Sequence, residues 1–343
     1  MSSKYLSEFD LIEWIRQKPQ NFPDSILKSI GDDCAVFDPQ SISRIAVTTD
    51  SLLENIHFQR HWISAYWLGR KSLVVNLSDL AAMGAKPYAC LLNLELPNDL
   101  DSGYPHAFLK GFLEETAHWK IPLLGGNLSS NETVHTSITA WGSFQENQHP
   151  IYRSGGQEYD ILILIGDVGF SRLGLEILKK ENSNQLCEIT NEDSLAKWSG
   201  DAFRFRCLKA HLLPFPLIAV GMWLCEKKLA NSMIDISDGL ASDLLHLANE
   251  SQLEAEIRID RLSLPEHAIG KISPLEAALN GGEDYALLLS TSEKQLQQLT
   301  ATYPSDFPPY QIIGNLSSGK PAVYLTQKEE RRAYEPKGFD HFE

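Results

Sequence analysis

Residues 232–248 read SMIDISDGLASDLLHLA, an apolar strand from Ser232 to Ile236 that passes through one glycine into a helix. Asp235 and Asp238 bracket Ser237 at the turn, and Gly239 opens the helix. A strand delivered straight into a helix is the repeating unit of α/β architecture. Carboxylates at a strand end, beside the backbone donors of a helix N-terminus, make a site for Mg2+ and phosphate. An N-cap needs one such residue and not three, so this cluster reads as functional.

The flanking sequence keeps the pattern. Strands and helices alternate across 160–165, 172–180, 194–213, 215–229 and 232–236, and further strands are expected at 304–314 and 321–324. Asn280-Gly281-Gly282-Glu283-Asp284-Tyr285 repeats the device of paired glycines, two acids and a strand. Upstream, residues 145–157 turn polar, with one proline and two glycines. A chain of 343 residues exceeds what one core usually supports. The expectation is therefore two domains, 1–147 and 148–343. Arg153, in the YRSGG of that linker, reads either as a bidentate phosphate clamp or as a solvated arginine.

The first half carries matching clusters. Residues 30–50 place Asp32 and Asp33 after a glycine and end on Thr48, Thr49 and Asp50, an oxygen-rich set of the kind hard cations take. Residues 64–84 read as one long helix stopped by Gly84, apolar almost all round in its second half. Asn76, Ser78 and Asp79 lie inside that apolar stretch, and an aspartate buried there needs a cation. A strand over 87–96, a helix over 101–119 and a strand over 121–124 lead into Gly125-Gly126-Asn127-Leu128, which reads as a phosphate loop or as a plain hairpin turn. A strand over 133–144 follows, and His57 stands alone in a loop after the acidic stretch.

Composition narrows the partners. A formal net charge of -15 argues against nucleic acid, whose phosphates call for a basic face. No run approaches the roughly 20 apolar residues of a membrane span. Five cysteines without CxxC spacing, and charges scattered through the first residues, predict reduced thiols in a cytoplasmic protein with no secretory leader. Neither a Walker A loop nor a GxSxG elbow is present. What remains is metal-assisted phosphoryl transfer outside the P-loop class, chemistry governed by positioning and charge neutralisation.

From SEFDLI through GDDCAV, TTD, NLSDLAAMGAKP, IDISDGLASDL and GGEDY to KGFDHF, the motifs resemble the thiamine-monophosphate kinase family of the PurM-like superfamily over essentially the whole chain. The resemblance implies an α/β, two-domain PurM-like fold, with a dimerising sheet in the N-terminal α/β domain and a second α/β domain. It implies transfer of the ATP γ-phosphoryl group to thiamine monophosphate, several Mg2+ ions and a homodimer. Asp33, Thr48, Thr49, Asp50, Asp79, Asp235 and Asp238 correspond to Mg2+ ligands, with Asp50 and Asp79 catalytic. Gly126, Arg153 and Ser237 correspond to ATP contacts, and His57, Glu283 and Phe339 to substrate contacts. Three departures stand out. Asn127 replaces the aspartate of GGDT, keeping a carbonyl oxygen for metal and ATP but losing the charge. Leu217 replaces an arginine, and Tyr159 replaces a turn glycine. The alternatives are a weakened paralogue that binds without turnover, or another PurM-like ATP-dependent enzyme.

Overall fold

A computed structural model of the chain describes residues 14–15, 17–18, 26–28, 36–37, 44–181 and 185–338. The chain divides into two compact units, one of residues 1–80, 86–147 and 182–198, the other of 81–85, 148–181 and 199–343.

In the first unit β1 (Ile26–Lys28) pairs with β2 (Val36–Phe37), and a four-stranded sheet follows. Its strands are β3 (Arg44–Leu53), β4 (Lys86–Leu96), β5 (Leu123–Ser130) and β6 (His135–Phe144), in the order β3-β6-β4-β5. All pairs are antiparallel except β4 with β5. Helices α1 (Ala65–Ala82) and α2 (Gly103–Trp119) supply the rest of the core. The continuous apolar character of α1 is matched by its burial: Trp67, Leu68, Leu73, Leu77 and Leu80 are at most 1% exposed. The two helices cross closely at a glycine on each. A methyl group on Gly69 would lie 2.0 Å from the Phe108 carbonyl oxygen, and one on Gly111 would lie 1.9 Å from that of Tyr66. The expected strand over 121–124 runs on through both glycines of 125–126, so this segment is a strand rather than a turn.

The second unit is built on a seven-stranded sheet. Its elements are β7 (Ile161–Ile165), α3 (Phe170–Lys180), then, past α4 (Glu192–Ser199), α5 (Ala202–Leu212), α6 (Ile218–Lys227), β8 (Ser232–Asp235), α7 (Leu240–Ser251), β9 (Glu254–Arg258), α8 (Pro274–Asn280), β10 (Leu287–Thr291), α9 (Glu293–Thr302), β11 (Tyr310–Ser317), β12 (Ala322–Gln327) and β13 (Glu330–Tyr334). The helical region expected over 194–213 is two helices. Gly200 breaks it at φ +82°, and the Asp201 side chain caps α5 by accepting from the Arg204 N–H at 2.8 Å.

The sheet order is β13-β12-β9-β11-β7-β10-β8, and only β12 with β9 is parallel. Consecutive strands such as β7 and β8 are not neighbours, so the alternation of strands and helices does not produce a parallel sheet here. Leu162, Leu164, Ile234, Ile236, Leu240 and Leu244 lie in one core cluster beneath the strand-to-helix turn. Burying a side chain of this size contributes about 1.5–3 kcal/mol, so the turn rests on a rigid floor. Among the described residues no helix is long and apolar enough to cross a membrane.

Candidate functional site

In the first unit, β3 and α1 bring the expected oxygen donors together. The Thr48 hydroxyl donates to Asp79 Oδ2, and the Asp50 backbone N–H donates to Asn76 Oδ1 at 2.9 Å. Asn76 is fully buried and uses its amide hydrogen on the Ser72 carbonyl, 3.1 Å away. Its role as the pin between helix and strand is not visible in the sequence. Asp79 is half-buried, not enclosed, so the apolar surroundings of its helix do not remove it from water.

Strand register sorts the remaining candidates by face. Asp50 pairs with Ile138, Ile138 with Leu92, and Leu92 with Gly126. Paired residues share a face, so Asp50, Thr48 and the Gly126 position lie on the side toward α1. Asn127 pairs with Asn93, which pairs with Ser137 and through it with Ser51, in the opposite row. Thr49 also points that way, beside the Thr139 hydroxyl at 3.4 Å, and its own hydroxyl donates to the Ile138 carbonyl at 2.9 Å. The structure thus gathers Thr48, Asp50 and Asp79, and does not bring Thr49 or Asn127 to them. His57 Nδ1 accepts the Leu53 N–H at 3.0 Å, which places the ring hydrogen of the neutral imidazole on Nε2. Asp33 lies outside the described residues.

In the second unit, the turn after β8 is closed by Asp243, a residue given no role from sequence. Its Oδ2 accepts the backbone N–H groups of both Ser237 and Asp238 at 3.1 Å. Burial pushes the Asp243 carboxyl well above the usual carboxylate range, and the negative charges of Asp235 and Asp238 push it further the same way. The Asp238 N–H and the Arg153 charge act in the opposite direction. Three carboxylates therefore share this turn, within the field of the Arg153 charge. Arg153 is held by its backbone, since its carbonyl accepts from the Ser251 hydroxyl at 3.1 Å.

The GGEDY loop is stitched to the same turn. The Glu283 N–H donates to the Ser237 carbonyl and the Tyr285 N–H to that of Ile236, both at 2.8 Å. A methyl group on Gly282 would lie 2.2 Å from the Ser237 carbonyl oxygen, so only glycine permits this approach. Asn280 ties the tail in: its Oδ1 accepts from the Lys337 N–H at 3.2 Å, and its amide donates to the Tyr334 hydroxyl at 2.8 Å. Phe339 lies outside the described residues. Leu217 is buried at the head of α6, so the arginine expected there is replaced by a core side chain.

Both clusters offer oxygen donors only, which suits Mg2+ and not a thiophilic metal. Among the described residues no three Asp, Glu, His or Cys side chains form a metal-ready group.

The site and fold define a class. The AIR synthase related protein family matches in chain order, its N-terminal domain over residues 31–144 and its C-terminal domain over 160–325. Within that class, a thiamine-monophosphate kinase of Buchnera aphidicola subsp. Schizaphis graminum is 31% identical over 339 residues, covering 98% of this chain and 99% of its own. The crystal structure of thiamine-monophosphate kinase from Stenotrophomonas maltophilia K279a matches with a TM-score of 0.78 at 30% identity, covering 95% of this chain and 98% of that one. AaThiL complexed with AMPPCP and TMP matches with a TM-score of 0.73 at 31% identity, covering 100% and 99%. The chain belongs to the thiamine-monophosphate kinase family.

Proposed function

We propose that this chain transfers the γ-phosphoryl group of ATP to the phosphate of thiamine monophosphate, yielding thiamine diphosphate and ADP. The observation that carries this reading is the full-length likeness, at 31% identity, to a chain complexed with AMPPCP and TMP. The bond from the γ-phosphorus to its bridging oxygen breaks as a bond to an acceptor phosphate oxygen forms in line. That oxygen is already anionic, so no general base is required, and the protein's task is to position two phosphates.

Asp50 and Asp79 act at the reacting phosphates, with Asn76 fixing the backbone of the first and Thr48 orienting the second. Asp33, Thr48, Asp50, Asp79, Asp235 and Asp238 are the proposed Mg2+ ligands, and Thr49 and Asn127, on the opposite face of the sheet from Asp50, leave that set. Mg2+, when bound, screens the repulsion between the two phosphates. Gly126, Asn127, Arg153 and Ser237 contact ATP, Arg153 with its charge, while Asp243 holds the backbone N–H groups of the turn at Ser237 in place. His57, Glu283 and Phe339 receive thiamine monophosphate. The same reading gives a cytoplasmic homodimer with a domain boundary at 147/148.

A coupled ADP-release assay with ATP and Mg2+, with and without thiamine monophosphate, tests this. Thiamine diphosphate formed in proportion to ADP, and lost by at least about a hundredfold in Asp79→Ala, is the expected result. Nucleotide binding without transfer at any Mg2+ concentration would sink the kinase reading and leave a binding protein with Asn127 as its weak point.

A further inference from the structure

Glu283 stands on a loop in an uncommon backbone conformation, with φ +62° at Glu283 and +52° at Tyr285. Side chains of this kind rarely occupy that region, so surrounding contacts must hold it. Its carboxylate is held separately from the backbone. Oε2 lies 3.1 Å from Nδ1 of His211, a side chain on the last turn of α5 that is almost wholly buried. The Ser171 hydroxyl lies 3.1 Å from the same nitrogen. A carboxylate accepts and cannot donate, so the Nδ1 facing it carries the ring hydrogen. Ser171 also fixes the neighbouring acid, since its backbone N–H donates to Asp284 Oδ1 at 3.1 Å. The first turn of α3 therefore reaches both acids of the loop, Asp284 directly and Glu283 through the imidazole.

We propose that His211 is a positioning residue for substrate binding, holding one oxygen of Glu283 so that the carboxylate presents a single orientation to a cationic or N–H-donating ring of the substrate. This rests on the reading of Glu283 as a contact for thiamine monophosphate. His211 itself touches no substrate atom in this role. Because Ser237 and Glu283 share a backbone hydrogen bond, the orientation of the carboxylate is referenced to the turn proposed to hold phosphate.

Steady-state kinetics on the full chain test this. His211→Leu removes the donor, whereas His211→Asn keeps an N–H close to the place of Nδ1. The Leu variant is expected to raise KM for thiamine monophosphate roughly tenfold to a hundredfold, the loss typical of one hydrogen bond to a charged group. KM for ATP and kcat stay within about twofold, because the effect is confined to ground-state binding of one substrate. The Asn variant recovers most of the loss. In a Glu283→Ala background, His211→Leu adds nothing further, as required of a residue acting through its partner. If His211→Leu does not fold, His211→Gln, whose N–H falls at the far ring nitrogen, reads the same loss. An unchanged KM, equal rises for both substrates, or full additivity with Glu283→Ala overturns the inference alone. A wild-type chain that turns over no thiamine monophosphate overturns the functional reading and this inference with it.

Discussion

Tyr159 holds φ +73° and is 79% exposed. A side chain in the left-handed region crowds its own backbone, at a cost glycine avoids. The family resemblance places glycine at this position, and the backbone retains the conformation that glycine suits. Tyr159→Gly is expected to raise Tm by about 2 °C, because the exposed ring contributes little packing. A lower melting temperature by calorimetry would show that the ring matters more than the backbone. Asp284 presents a second case. It accepts the backbone N–H groups of Gly169 at 2.6 Å and Ser171 at 3.1 Å and so caps α3. It keeps some exposed surface yet sits among densely packed atoms, and that burial pushes its carboxyl from 3.8 up to about 8, against the pull of the two N–H donors. Between those values the folded chain holds a proton that the unfolded chain has released, so stability falls as pH rises through the window. Asp284→Asn removes that uptake. Its urea stability is expected to fall less steeply from pH 4 to 8 than the wild type's, by up to about 1.4 kcal/mol per pH unit. Parallel profiles would remove Asp284 as the source.

At the scale of the element, β5 shows why a local reading of paired glycines fails. Gly125-Gly126 has the composition of a turn, but β4 claims the segment as a parallel partner. The two glycines are then unequal. A methyl group on Gly126 would lie 1.8 Å from the Leu92 carbonyl oxygen, whereas one on Gly125 would meet only the Leu91 side chain at 3.5 Å. Gly126→Ala is expected to cost about 1–3 kcal/mol in urea unfolding, and Gly125→Ala less than about 1 kcal/mol. Equal losses would mean that β5 does not pair as described. Elements with strong local signals behave as their residues predict. α1 begins and ends within two residues of the expected helix, because its apolar run and its glycine stop act locally. α9 carries a capping box between Ser292 and Gln295, a signal present in the sequence although its hydrophobic pattern alone predicts no helix there.

For the whole molecule, the four-stranded sheet ends on β3, whose Ile45 and Val47 are 40% and 59% exposed. Among the described residues β3 pairs only with β6, leaving one strand edge uncovered. Exposed apolar residues on an edge strand are what a second sheet covers. If the proposed homodimer uses this sheet, sedimentation velocity will give twice the chain mass, and Val47→Lys will shift it to the monomer. A Val47→Lys protein that stays dimeric would place the interface elsewhere.

The α/β class, the long buried helix with Asp79 in it, Asp50 on its strand and the acid-bearing turns at 235–238 and 283 were legible in the chain, because strand and helix periodicity and glycine stops are properties of neighbouring residues. Which acids meet was not. Asp243 closes its own turn only once the turn exists, and Asp284 caps a helix whose first residues lie 113 and 115 positions away. His211 meets Glu283 only through the packing of α5. Alternation along β5 places Gly126 and Asn127 on opposite faces, but pairing with β4 decides which face carries Asp50. By itself the sequence determined those strands and helices whose signals are local, and which oxygen donors they carry. Register and long-range packing, which are set by burial over the whole fold, decided which of those donors share a site.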